Sequence, residues 1–157
     1  MTNPAIYSWP VCVALIAILI AAMPGGAALA QASPTAKAND LVPIPARMLK
    51  GTVSVRNSGP AAAGPSVATV VCTKIGGGAC AESPAMAPFT NPAYPNAIVV
   101  AVPALAIGKV HSFKLPFWKS LVWPSGKFSF SVTADAGGTV AETNEGNNQK
   151  AAIMTVP

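Results

Sequence analysis

Lys127-Phe-Ser-Phe-Ser-Val-Thr-Ala-Asp135 alternates apolar and polar residues without a break, and no other feature limits the fold of this chain so sharply. Successive side chains of an extended strand point to opposite faces, whereas a helix repeats every 3.6 residues. Phe128, Phe130, Val132 and Ala134 therefore face a core, and Lys127, Ser129, Ser131, Thr133 and Asp135 face water. Gly51-Thr-Val-Ser-Val-Arg-Asn57 buries Val53 and Val55 in the same way.

Other segments repeat the pattern less strictly. Ser66 to Thr73, Ala97 to Val102, Val110 to Leu115 and Lys150 to Val156 read as strands. Leu41 to Met48 reads as an edge strand, because Pro43 and Pro45 cannot donate to a ladder. Turn-forming stretches separate them: Asn57-Ser-Gly-Pro60, Pro103 to Gly108, Trp123-Pro-Ser-Gly126 and Ala136-Gly-Gly138. About seven short strands with no helical segment between them predict an all-β antiparallel sandwich. No internal repeat is visible, so one module is expected. Two connections stand out. Lys74 to Asn96 carries Pro84, Pro88, Pro92 and Pro95 with Phe89 and Tyr94, and structureless loops of that length tend to be functional or disordered. Pro116-Phe-Trp-Lys-Ser-Leu-Val-Trp-Pro124 sets Phe117, Trp118 and Trp123 between two strands.

Not all of the 157 residues are expected in the working protein. Val11 to Met23 is an unbroken apolar run, shorter than the about 20 residues a membrane-spanning helix needs. Pro24-Gly-Gly26 and Ala28-Leu-Ala30 follow it, the layout of a signal-peptide h-region with an A-x-A cleavage site before Gln31. Residues 2 to 10 carry no Lys or Arg, a departure from the usual charged start, and an uncleaved N-terminal anchor is the rival reading. Cys12 lies inside the apolar run and is not placed as a lipoprotein cysteine. The expected organisation is a signal peptide over 1–30, a flexible leader over 31–40 and a sandwich over 41–157. That implies a periplasmic or secreted protein with no stable membrane span after cleavage.

All ten Lys and Arg and all five Asp and Glu follow Ala30, so the mature chain keeps the net charge of +5. A nucleic-acid binder clusters its cations. Here they are spread singly from Lys37 to Lys150, the pattern of a solvated basic surface, so no nucleic-acid partner is expected. Weak attraction to anionic envelope polymers is the functional alternative. Cleavage leaves two cysteines, Cys72 and Cys80. An even count in an exported chain points to a disulfide, and Gly76-Gly77-Gly78 lets the backbone between them double back. Zinc is the competing reading, but a single His and no further Cys leave a four-ligand site incomplete.

The run from Asp135 to Asn148 gathers three of the five carboxylates, Asp135, Glu142 and Glu145, with Asn144, Asn147 and Asn148. It resembles the "D…E-x-N-E-x-N-N" ending of CARDB domains, the cell adhesion related domain found in bacteria. Gly51-Thr-Val-Ser-Val-Arg-Asn57-Ser-Gly59 is similar to that family's "V-x-N-x-G" strand and turn, and Leu105-Ala-Ile-Gly108 to its "L-x-x-G" turn. The last motif is fairly specific and the first two are weak. The Cys72/Cys80 loop, the proline-rich segment and the double-Trp connection depart from the family pattern. The resemblance implies an immunoglobulin-like sandwich outside the cytoplasm and a non-catalytic binding or structural role. It names no ligand.

Each chemical motif has a plainer alternative. The acid–Asn run offers oxygen donors suited to Ca²⁺, but the bidentate Glu position of an EF-hand counted from Asp135 falls on Gly146. Asn and Asp side chains also fix turns by bonding nearby backbone, and a structural turn is the reading adopted, with no metal or cofactor. His111, the single histidine, shares a face with Phe113 and Leu115 and reads as a half-buried structural imidazole. No G-x-S-x-G elbow, H-E-x-x-H, Walker loop or dinucleotide fingerprint is present, so no enzyme is expected. Trp118 and Trp123 read as packing across one end of the sandwich, with a platform for a sugar or a protein as the alternative. Phe89, Tyr94, Trp118 and Trp123 are the candidate interaction surface. The expected partner is a protein or an envelope polysaccharide; a small structural subunit of a larger envelope assembly is the second reading.

Overall fold

In the computed structural model, residues 38–157 are described; the signal-peptide expectation over 1–30 lies outside the described residues. Seven strands form: β1 (Leu41–Pro43), β2 (Thr52–Asn57), β3 (Ser66–Ile75), β4 (Ala97–Val102), β5 (Val110–Lys114), β6 (Gly126–Thr133) and β7 (Gln149–Val156). They make two sheets, one of order β1-β2-β5 and one of order β4-β3-β6-β7. Every pairing is antiparallel. This is the all-β antiparallel sandwich that the alternation predicts, in the immunoglobulin-like form that the resemblance implies.

The core is what the period-two pattern selects. Val53 and Val55 from one sheet meet Ala68, Val70, Val100, Val102, Phe128, Phe130 and Val132 from the other, all buried. Phe128 and Phe130 are the largest of the fully buried side chains. Burying a Val or Phe side chain contributes about 1.5–3 kcal/mol, so this inner face is the main source of stability.

One expected strand is only partly formed. Leu41–Pro43 pairs at the edge of its sheet with Val55 to Asn57, but Pro45–Lys50 is a 3-10 helix. Proline fixes φ near the helical value and has no N–H to lose, so it suits the first helical turn. Gly51 ends the segment in the left-handed region at φ 70, its N–H directed to the carbonyls of Arg47 and Met48. The helix turns Met48 into the core, where it is 2% exposed.

The disulfide between Cys72 and Cys80 is present, and it closes the turn that follows β3. Gly76, Gly77 and Gly78 all have φ between 91 and 98, which a residue with a Cβ rarely adopts. By chain entropy, so short a loop contributes about 2.5 kcal/mol. The long connection after it is ordered by its own side chains. Ser83 caps the 3-10 helix Pro84–Phe89 by accepting from the Ala85 N–H at 3.3 Å. The Asn91 side chain accepts from the Ala93 N–H at 2.9 Å, and the Tyr94 N–H reaches the Asn91 carbonyl at 2.9 Å.

Candidate functional site

The strand registers divide the sandwich into two ends. β2 runs from Thr52, opposite Lys114, to Asn57, opposite Leu41. β3 runs from Ser66, opposite Val102, to Ile75, opposite Lys127. Asn57 thus marks one pole, with the acid–Asn run beyond β6. Gly51 marks the other, with the disulfide and the two long connections.

At the first pole the polar motifs are wired to the backbone. Asn57 is fully buried. Its amide donates to the carbonyls of Ala61 at 2.8 Å and Leu105 at 2.9 Å, and its oxygen accepts from the N–H groups of Gly59 and Asp40. Asp135, placed toward water by the alternation, is instead buried beyond the end of β6, because its carboxylate accepts from the N–H groups of Thr139 and Val140 and from the Thr139 hydroxyl. Glu142 accepts from the Leu41 N–H and from the Asn148 amide, which also donates to Glu145 at 2.9 Å. Glu145 accepts in turn from the Glu142 N–H, and Asn144 caps the turn Glu145–Asn147 through the Gly146 N–H. The Asn147 amide donates to Asp40 at 2.9 Å. Burial raises the pKa of Glu142 from its ordinary value, the Leu41 N–H opposes this, and the charges of Glu145, Asp135 and Asp40 add to the rise.

Asn39 and Asp40, assigned by sequence to the leader, belong to this network: Asn39 bridges to Glu142, and its carbonyl accepts from the Thr143 N–H at 2.8 Å. Gly59 lets them cross, since a Cβ there would stand 2.5 Å from the Asp40 nitrogen. The chemistry of this pole is that of a latch between the first strand and the turn before the last one.

At the second pole the aromatics are interlocked. Trp118 and Trp123 lie 5.2 Å apart between ring centroids. Trp118 meets Phe130 at 5.4 Å, and Trp123 meets Phe128 at 5.1 Å and Phe130 at 5.5 Å. Phe89 reaches across from the proline-rich connection to Phe113 at 5.7 Å and Phe117 at 5.4 Å. Trp118 also lies directly against Gly51, where an added Cβ would clash with its ring. Between the connections is a cavity of about 770 Å³ lined by Met48, Cys72, Cys80, Met86, Tyr94, Leu115, Trp118 and Trp123 among others. Sites for small molecules span about 300–1,000 Å³ and are mainly apolar with a few polar groups.

The profile of the CARDB family matches residues 36–152. The chain belongs to the CARDB family. Such domains are adhesion-related, immunoglobulin-like and non-enzymatic as a family. No curated protein and no solved structure matches the chain. The residues that resemble the CARDB pattern, Asn57 with Gly59, Leu105 with Gly108, and Asp135 to Asn148, all lie at the latch pole. The departures from it, namely the disulfide, the proline-rich connection and the double-Trp connection, meet at the cavity.

Of the sequence-selected surface, Tyr94, Trp118 and Trp123 line the cavity, while Phe89 supports Phe117 from behind. Sequence reasoning missed Asp40, Met48, Met86 and Lys74 at these two poles. Lys74, read as the start of the long connection, stands instead on β3, which runs on to Ile75. His111 stands on β5 opposite Val55, with Nε2 buried and without a hydrogen-bond partner among the described residues. Among the described residues no helix is long and apolar enough to cross a membrane, and no cluster of His, Cys, Asp or Glu is set to hold a metal.

Proposed function

We propose that this CARDB domain is an exported, non-catalytic binding module of the bacterial cell envelope, in which the cavity pole meets the partner and the latch pole serves the fold. The observation that carries this reading is the convergence at one pole of every feature that departs from the family pattern. A disulfide fits an oxidising compartment. The carboxylates of the latch pole accept hydrogen bonds from the domain's own groups, and the charged residues lining the cavity are Lys74 and Glu82, with no nucleophile–base pair between them. Val122, 87% exposed at the tip of the aromatic connection, favours a second reading, a structural subunit docked on a larger assembly.

Site-specific photocrosslinking in the native envelope separates these readings. A photoreactive residue in place of Val122 is expected to give adducts, whereas one in place of the exposed Ala141 at the latch pole gives none. A single stoichiometric protein adduct at Val122 would select the structural subunit. Adducts at Ala141 alone would overturn both.

A further inference from the structure

The side chains of β3 alternate between faces, and Ala68 and Val70 point into the sandwich, where both are buried. Lys74 has the same parity. Its register partner is the fully buried Phe128, and its Nζ lies 5.8 Å over that ring. A cation at a core-facing strand position is unusual, and it is tolerated where the stem covers apolar surface and the head reaches an opening. Two glycines make room for this stem: a Cβ at Gly126 would stand 3.0 Å from Lys74 Cε, and one at Gly78 3.4 Å from Cδ. Lys74 thereby lines the cavity, its ammonium between the Phe128 ring and Gly78. Glu82, the other charged residue there, is exposed to solvent.

An uncharged apolar ligand would leave this ammonium unmatched. A sugar would need a free ring face, and Trp118 and Trp123 instead pack against each other and against Phe130. We infer that the cavity takes a single-chain amphiphile with an anionic head, its chain among Met48, Leu115, Trp118, Leu121 and Trp123 and its head at Lys74. This rests on the reading of the cavity pole as the binding face.

The test uses the full chain with the Cys72–Cys80 bond formed and Trp9→Phe, so that indole emission comes from Trp118 and Trp123 alone. Monomeric dodecanoate, dodecyltrimethylammonium, dodecyl maltoside and maltose are titrated in turn. Dodecanoate is expected to shift the emission saturably, and affinity to rise about fourfold per methylene from decanoate to tetradecanoate, the equivalent of about 0.8 kcal/mol per group. Lys74→Gln should weaken dodecanoate about tenfold, as loss of one charge-assisted hydrogen bond implies, and leave dodecyl maltoside within about twofold. Lys74→Arg should retain dodecanoate binding. That dependence also separates the cavity from the apolar run Val11 to Met23. Equal affinity for all three dodecyl head groups, or a response to maltose alone, overturns the amphiphile and leaves the binding pole standing. No indole response to any probe overturns it too, and absence of Val122 adducts would then remove the binding pole as well.

Discussion

Asn57 shows how one side chain can hold an end of a sandwich. It sits at the last position of β2, where the ladder stops and backbone groups of three neighbouring segments come together. Its amide satisfies four of them. Leaving a buried donor or acceptor unsatisfied costs about 1–3 kcal/mol, so Asn57→Ala is expected to lower stability by at least about 3 kcal/mol. A denaturant midpoint within error of the parent would show that water replaces the amide. Glu142 gives a pH signature at the same pole. Its folded-state pKa is raised, so between the unfolded and folded values the folded state binds more protons, and stability from this group is present at low pH and lost as pH rises through the folded value. The stability of the parent relative to Glu142→Gln should therefore improve as pH falls from neutral to 4.5, the ordinary value. Urea melts across that window check the sign; a difference that moves the other way would mean that the Leu41 N–H outweighs burial.

At the scale of elements, the 3-10 helix Pro45–Lys50 explains the strand that the sequence pattern overextends. Alternation in Leu41 to Met48 is too weak to resolve a switch of period after three residues, and Pro45 can be read as an edge proline or as a first helical residue. What decides is tertiary: Met48 finds the core, and Gly51 allows the tight end. Gly51 also fixes the Trp118 ring, so Gly51→Ala both strains the backbone at φ 70 and drives a methyl group into the indole. The expected loss is about 2–3 kcal/mol, with a red-shifted indole emission as Trp118 leaves its seat. A destabilised variant with unchanged emission would locate the cost in the backbone alone.

Over the whole molecule, the strands, their facing and the disulfide are legible from alternation, turn residues and cysteine spacing, because each is a local pattern. The two poles are not. Trp118 and Gly51, or Asp40 and Asn147, meet only after the strands have set their ends together, and no spacing along the chain records that. Lys74 is a case in point: the strand pattern ends at Thr73, and only the two further ladder positions opposite Phe128 and Lys127 carry β3 to Ile75 and turn Lys74 inward. Export belongs to this scale too. Intact mass of the protein recovered from the envelope fraction should correspond to a chain beginning at Gln31, and a species that retains Met1 to Ala30 would make it an anchored protein. The latch has a consequence in time. Leu41 bonds a side chain 101 residues further on, and Asn39 lies against the same turn. A chain delivered N-terminus first cannot close that end until the acid–Asn run has emerged, and contacts of such long range are slow to form. The first strand must wait for the last turn, so this end of the domain stays open through most of delivery and locks only when its final segment arrives.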